Sequence, residues 1–90
     1  MKEAITSEQL SLMKHTIGLD NKSKTRKGIY KAYRNYFCQG ENPDADFEDL
    51  CKKGLCETWT NISGSIYYDV LEKGAKLIKE FTGITVILED

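Results

Sequence analysis

The sequence predicts a small α+β domain, and three features of the 90-residue chain support that prediction. Residues 44–81 have the order helix, glycine, strand, turn, strand, helix. An apolar stripe at helical spacing lies near the N terminus, and residues 84–88 form a short apolar run that would place Ile84, Val86 and Leu88 on one face of a strand. A chain of this length builds one modest core, so residues 1–90 are treated as a single domain.

The first helix is expected at about residues 7–17. Thr6 or Ser7 can cap its N terminus, and Gly18 can end it. One face of this helix carries three apolar residues: Leu10, Met13 and Ile17. The spacing i, i+3 and i+7 places them together, so this face is expected to be buried.

Residues 21–40 are basic and aromatic. Residues 21–28 have the composition of a flexible segment, and the wider region holds six cations and no acid: Lys22, Lys24, Arg26, Lys27, Lys31 and Arg34. A helical face would hold Ile29, Tyr33, Tyr36 and Phe37, with Tyr30 next to it. The same run could instead be extended, because aromatic side chains favour strands. We expect a short or irregular element here, with Tyr33, Tyr36 and Phe37 in the core.

A second helix is expected at about residues 43–53. Asn42 can cap it, Pro43 suits its first position, and Gly54 can end it. A β-hairpin follows at about residues 55–70, with its turn at residues 61–64. A third helix is expected at 71–82, with Phe81 on its buried side, and a last short strand at 84–88. The core is predicted to gather five side chains: Phe47, Leu50, Trp59, Tyr68 and Ile78.

Composition argues against several classes of protein. The net charge of −1 creates no field that would attract nucleic acid or a membrane surface. The longest apolar run is too short to span a bilayer, and no signal peptide is recognisable, so we expect a cytoplasmic protein with no membrane partner. The three cysteines are expected to be reduced thiols without a metal. The alternative is a metal site formed by Cys38, Cys51, Cys56 and His15.

No motif of a known reaction is present, so the chain is predicted not to be an enzyme and to use no cofactor. It has no glycine-rich phosphate loop, no His-Glu zinc motif and no nucleophile elbow. Cys38 or Cys51 with His15 could form a nucleophile pair, but nothing in their spacing favours it.

The run from residue 44 to 80 resembles the second half of a winged helix-turn-helix domain. The matching residues are Leu50, Gly54, Leu55, Tyr67, Tyr68, Gly74, Leu77 and Ile78. The resemblance implies a winged-helix-like domain in which the helix before the hairpin would contact DNA. Two departures stand against DNA reading. Leu71 occupies the position of a capping Ser or Thr, and the first turn of the would-be recognition helix is acidic, which phosphates repel.

A broader resemblance links the chain to small hypothetical proteins of bacteriophages and prophages. It is carried by the segments Glu8–Asp20, Tyr33–Phe37 and Asp49–Leu55. It implies a phage-related origin and no particular activity. If that group shares a site, Arg34, Asn35 and Tyr36 are its first candidates. The alternative is that Arg34 pairs with an acid on the adjoining helix.

These observations favour a non-enzymatic binding or regulatory module that docks on a host or phage protein. The alternative is nucleic-acid binding through Lys22–Phe37, where cations would hold phosphates and tyrosines would stack on bases. The candidate binding residues are Lys24, Arg26, Lys27, Tyr30, Lys31, Arg34, Asn35 and Tyr36. The strand Ile84–Leu88 could also pair with a second copy of the chain to form a homodimer.

Overall fold

A computed structural model describes residues 4–20, 25 and 27–88 of the chain. These residues form three helices and five strands, which confirms the predicted α+β class. In chain order they are α1 (Ser7–Thr16), β1 (Ile29–Lys31), β2 (Phe37–Gly40), α2 (Ala45–Lys52), β3 (Cys56–Thr60), β4 (Ile66–Val70), α3 (Glu72–Thr82) and β5 (Thr85–Ile87). Most of residues 21–28, predicted to be a flexible basic segment, lie outside the described residues.

Side-chain oxygens determine where α1 and α2 begin. Thr6 forms a capping box with Gln9, and the buried Gln9 amide also donates to the carboxylate of Asp49, which joins α1 to α2. Asp44, not Asn42, caps α2, because its carboxylate accepts the Phe47 N–H at 3.0 Å. The helix therefore begins two residues later than predicted.

The last helix has a different pair of ends. Leu71 precedes α3 and makes no side-chain cap hydrogen bond, as the missing hydroxyl in the sequence predicts. Gly83 ends the helix with φ of 77°, a left-handed conformation that costs glycine little. Gly74 lies where α3 touches the start of β3, and a Cβ atom at this position would be 2.4 Å from the Leu55 carbonyl oxygen.

The strands form two separate sheets. The larger is antiparallel, with the order β2-β4-β3, and contains the predicted hairpin. The smaller pairs β1 with β5 in parallel, with Tyr30 opposite Val86. Residues 29–40 therefore form two short strands, and none of them is helical. One edge of β5, which was expected to be open for a second copy, is occupied by β1.

One hydrophobic core lies between the helices and both sheets. Its largest fully buried side chains include Tyr68, Phe47, Met13, Ile17, Leu50, Leu55 and Ile78. The Phe47 and Tyr68 rings stack at 4.3 Å between centroids. Four of the predicted core residues are exposed instead: Tyr33 (67%), Tyr36 (53%), Trp59 (44%) and Phe81 (43%). In this aromatic region Tyr30 is buried, and its hydroxyl donates to the Ile17 carbonyl.

Candidate functional site

A row of aromatic rings lies on the outer face of the β2-β4-β3 sheet. Tyr67 of β4 is directly opposite Trp59 of β3, and their rings stack at 4.3 Å with an 8° angle between planes. Tyr36, just before β2, continues the row at 6.4 Å from Tyr67. We call these three residues the aromatic strip. Side chains alternate across a strand, so the strip points away from the core that Tyr68 occupies.

Two carboxylates border the aromatic strip. Glu57 and Asp69 are opposite each other on β3 and β4, on the same outer face. Asp69 accepts a 2.9 Å hydrogen bond from the indole nitrogen of Trp59, and Glu57 is exposed. Neither carboxylate forms an ion pair within the described part of the chain; the ion pair found there joins Lys53 to Asp49. Like charges directly opposite each other repel, so a cation placed between them would be favoured.

The aromatic strip ends at an open edge of the sheet. Among the described residues, β3 is paired with β4 alone, and its residues from Glu57 to Thr60 are all exposed. Leu71 N–H donates to the Leu55 carbonyl and Asn61 N–H donates to the Ser65 carbonyl, so odd-numbered residues of β3 bond to β4. The backbone groups of Thr58 and Thr60 therefore face the open edge.

The thiols of Cys51 and Cys56 and the phenol of Tyr67 favour their protonated forms. Hydrogen bonding to the Cys38 thiol raises the pKa of Tyr67 above its usual value. Burial raises the pKa of Cys51 to about 11 and that of Cys56 to about 12. A thiol attacks as its thiolate, so Cys51 and Cys56 are poor nucleophiles near neutral pH.

The structure brings only part of the predicted site to the aromatic strip. Tyr36 belongs to it. Lys27 and Lys31 are exposed near β1, in the smaller sheet. The predicted site residues Lys24 and Arg26 lie outside the described residues.

The other three predicted site residues make contacts within the fold. The Tyr30 ring is 5% exposed, so it is not available to stack on a base. Arg34 donates to the His15 carbonyl at 2.7 Å, not to an acid, and its guanidinium lies 5.5 Å from the Tyr33 ring centroid. The Asn35 side-chain amide bonds both the N–H and the carbonyl of Val70, each at 2.8 Å.

The acids of α2 also have structural partners. Asp44 caps the helix, and Glu48 accepts a 2.6 Å hydrogen bond from the Tyr68 hydroxyl. Asp49 accepts from Lys53 and Gln9, and these two bonds lower the pKa of its carboxyl. Three of the carboxylates in the first turns of α2 therefore have a structural role.

Two open grooves lie beside α1 and offer little chemistry. One, of about 420 Å³, is lined by Ser7, Glu8, Ser11, Leu12, Asp44 and Asp46. The other, of about 360 Å³, is lined by Ala4, Ile5, Thr6, Gln9, Asp46, Asp49 and Lys53. Neither lining includes a histidine or a cysteine. Over residues 4–20, 25 and 27–88, no cluster of three His, Cys, Asp or Glu side chains could hold a metal ion.

The sequence prediction did not assign Trp59, Tyr67, Glu57 or Asp69 to a site. Alternation along a strand could have indicated part of this surface, since Glu57 and Trp59 share one side of β3. Alternation does not give the hairpin register that pairs them with Asp69 and Tyr67. Together these four residues form an aromatic surface with negative charge, which suits binding. None of the four is a catalytic nucleophile held next to a general base.

No family model, curated protein or solved structure significantly matches this chain. No helix among the described residues is long and apolar enough to cross a membrane.

Proposed function

We propose that this chain is a non-enzymatic module that docks on a protein partner through the outer face of its larger sheet. The observation that supports this most is the aromatic strip, where Trp59 and Tyr36 are 44% and 53% exposed beside Tyr67. Tyrosine and tryptophan are enriched where proteins meet, because they bury a large area at a small entropy cost. The bordering carboxylates disfavour a phosphate backbone at this face.

The partner, a host or phage protein in the cytoplasm, rests on the sequence resemblance alone. A winged-helix arrangement also remains a prediction. The order of α2, the hairpin and α3 supports it. A helix-turn-helix needs two helices joined by a short turn, whereas β1 and β2 lie between α1 and α2.

Nucleic-acid binding through Lys22–Phe37 is the second candidate. The exposed side chains of Lys27 and Lys31 favour it, since cations on a surface attract phosphates. The burial of Tyr30 removes one of the rings that would have stacked on bases. Binding of this kind would weaken steeply as salt is raised.

Affinity capture from host lysate, with and without nuclease, tests the proposal. The full chain is compared with Trp59→Ser, and Ile62→Ser serves as the matched control because Ile62 is fully exposed in the hairpin loop. We expect a protein that is retained after nuclease treatment and lost only with Trp59→Ser. Capture that depends on nucleic acid, or that is equal for both variants, would contradict the proposal. Circular dichroism verifies that each variant is folded.

A further inference from the structure

The edge of the larger sheet has an incomplete stack of side chains. Tyr67 covers one face of the Trp59 indole, and their 4.3 Å separation is close to the spacing between neighbouring strands. The opposite face of the indole is therefore turned toward the open edge of β3. A strand added at that edge would place a side chain next to Trp59, as β4 places Tyr67.

The backbone at this edge is ready to pair. Thr58 and Thr60 direct their N–H and carbonyl groups outward, and both residues are exposed. An extended peptide binds such an edge through its main chain, while its alternate side chains provide selectivity. The selectivity here must come from Trp59 and Glu57, which project from the outer face of β3.

Charge indicates which side chain fits. Glu57 and Asp69 are opposite each other without an ion pair within the described residues. A guanidinium is planar, stacks on an aromatic ring and bonds a carboxylate through two N–H groups. One arginine on an added strand could therefore cover the free face of Trp59 and reach Glu57.

We propose that the edge of β3 binds an extended, arginine-bearing segment of a partner protein as an additional strand. This inference rests on the proposed function and specifies the partner's chemistry. The added strand carries arginine on the side that faces Trp59 and Glu57. The occupant is thus a basic peptide, and neither a second copy of the chain nor a nucleic acid.

A synthetic peptide, Thr-Val-Arg-Val-Arg-Val-Thr, tests the inference on the full chain. Its arginines share one face of a strand. Trp59 is the single tryptophan of the chain, so its fluorescence reports binding, and NMR shifts of the Thr58 and Thr60 amides report edge pairing. We expect about tenfold weaker binding when both arginines are replaced by glutamine, and still weaker binding with glutamate.

Protein variants separate the charge from the backbone. Glu57→Gln should weaken binding of the arginine peptide about tenfold. Glu80→Gln removes the same charge from an exposed position on α3 and should have no effect. Thr58→Pro removes an edge N–H donor and keeps the backbone bonds between β3 and β4, although it also removes the hydrogen bond from the Thr58 hydroxyl to the Tyr67 carbonyl. It should abolish binding. N-methylation of the peptide at its pairing amides should do the same to the unaltered protein, which guards against misfolding of the proline variant.

Four results would overturn the inference. Two concern charge: the arginine, glutamine and glutamate peptides bind equally, or Glu57→Gln binds the arginine peptide as the unaltered protein does. Two concern the occupant: single-stranded octathymidylate quenches Trp59 fluorescence and the peptide does not, or the protein without peptide is a dimer that Thr58→Pro dissociates. The proposed function fails separately, if Trp59→Ser leaves capture of the partner unchanged. If Trp59→Ser abolishes capture while Glu57→Gln and Thr58→Pro do not, the proposed function stands and only this inference fails.

Discussion

Asn35 acts as a substitute for a strand residue. Its side-chain oxygen accepts the Val70 N–H and its side-chain nitrogen donates to the Val70 carbonyl, so it supplies both bonds that a neighbouring strand would supply. Val70 is 1% exposed, so these backbone groups have little access to water. The sequence singled out Asn35 as a binding candidate, but nothing local indicates a partner 35 residues away.

Replacing Asn35 by alanine should lower the free energy of unfolding by about 2 kcal/mol, because two buried backbone groups lose their partners. Asn42→Ala is the matched control, since Asn42 is exposed in the loop before α2, and it should change stability little. Urea denaturation measures both variants. A loss for Asn35→Ala no greater than that for the control would show that water replaces the amide.

The β3–β4 hairpin shows how far a sequence can specify an element. Its two strands and its loop were predicted nearly to the residue, because apolar alternation and the Asn-Ile-Ser-Gly run are local signals. The predicted turn of residues 61–64 was one residue too short, since Asn61 N–H bonds the Ser65 carbonyl. A one-residue change in register reverses the faces that meet, which is why Trp59 was wrongly assigned to the core.

Gly74 controls the approach of α3 to this hairpin. Alanine favours a helix over glycine by about 1 kcal/mol, so Gly74→Ala would be stabilising if space allowed. Its Cβ would be 2.4 Å from the Leu55 carbonyl oxygen and 2.9 Å from a Val70 methyl group. A backbone atom cannot move aside as a side chain does, so the clash dominates.

We therefore expect Gly74→Ala to lower the free energy of unfolding by about 1–3 kcal/mol. Lys76→Ala, at an exposed position of the same helix, should be close to neutral. Thermal unfolding followed by circular dichroism compares them. A melting temperature for Gly74→Ala at or above that of the unaltered protein would mean that α3 can shift away from β3.

The two sheets share one core although they share no strand. Tyr30 and Val86 of the smaller sheet belong to the same buried cluster as Tyr68 and Val70 of the larger one. The parallel pairing of β1 with β5 could not be predicted, because no local pattern links residues 29–31 to residues 85–87. The prediction that β5 mediates a homodimer remains, but Val86→Pro cannot test it cleanly, since Val86 is 8% exposed and a proline there would damage the core.

A shared core predicts cooperative unfolding. Val86→Ala removes two buried carbon atoms and should lower the free energy of unfolding by about 1.5 kcal/mol. Ile87→Ala, on the same strand, should lower it less because Ile87 is 46% exposed. Trp59 fluorescence and circular dichroism should report the same shifted midpoint for Val86→Ala, although Trp59 lies in the other sheet. A fluorescence midpoint that does not move would mean that the sheets unfold independently.

The parallel pairing also affects the order of events on the ribosome. Translation proceeds at about 5–20 residues per second, and roughly 50 residues separate β1 from β5, so β1 waits some 3–10 s for its mate to be made. Throughout that interval Tyr30, which is 5% exposed in the folded protein, has no neighbouring strand to cover it. The nascent chain is thus most vulnerable to mispairing before β5 emerges, and a ribosome-associated chaperone would shield β1 during that time.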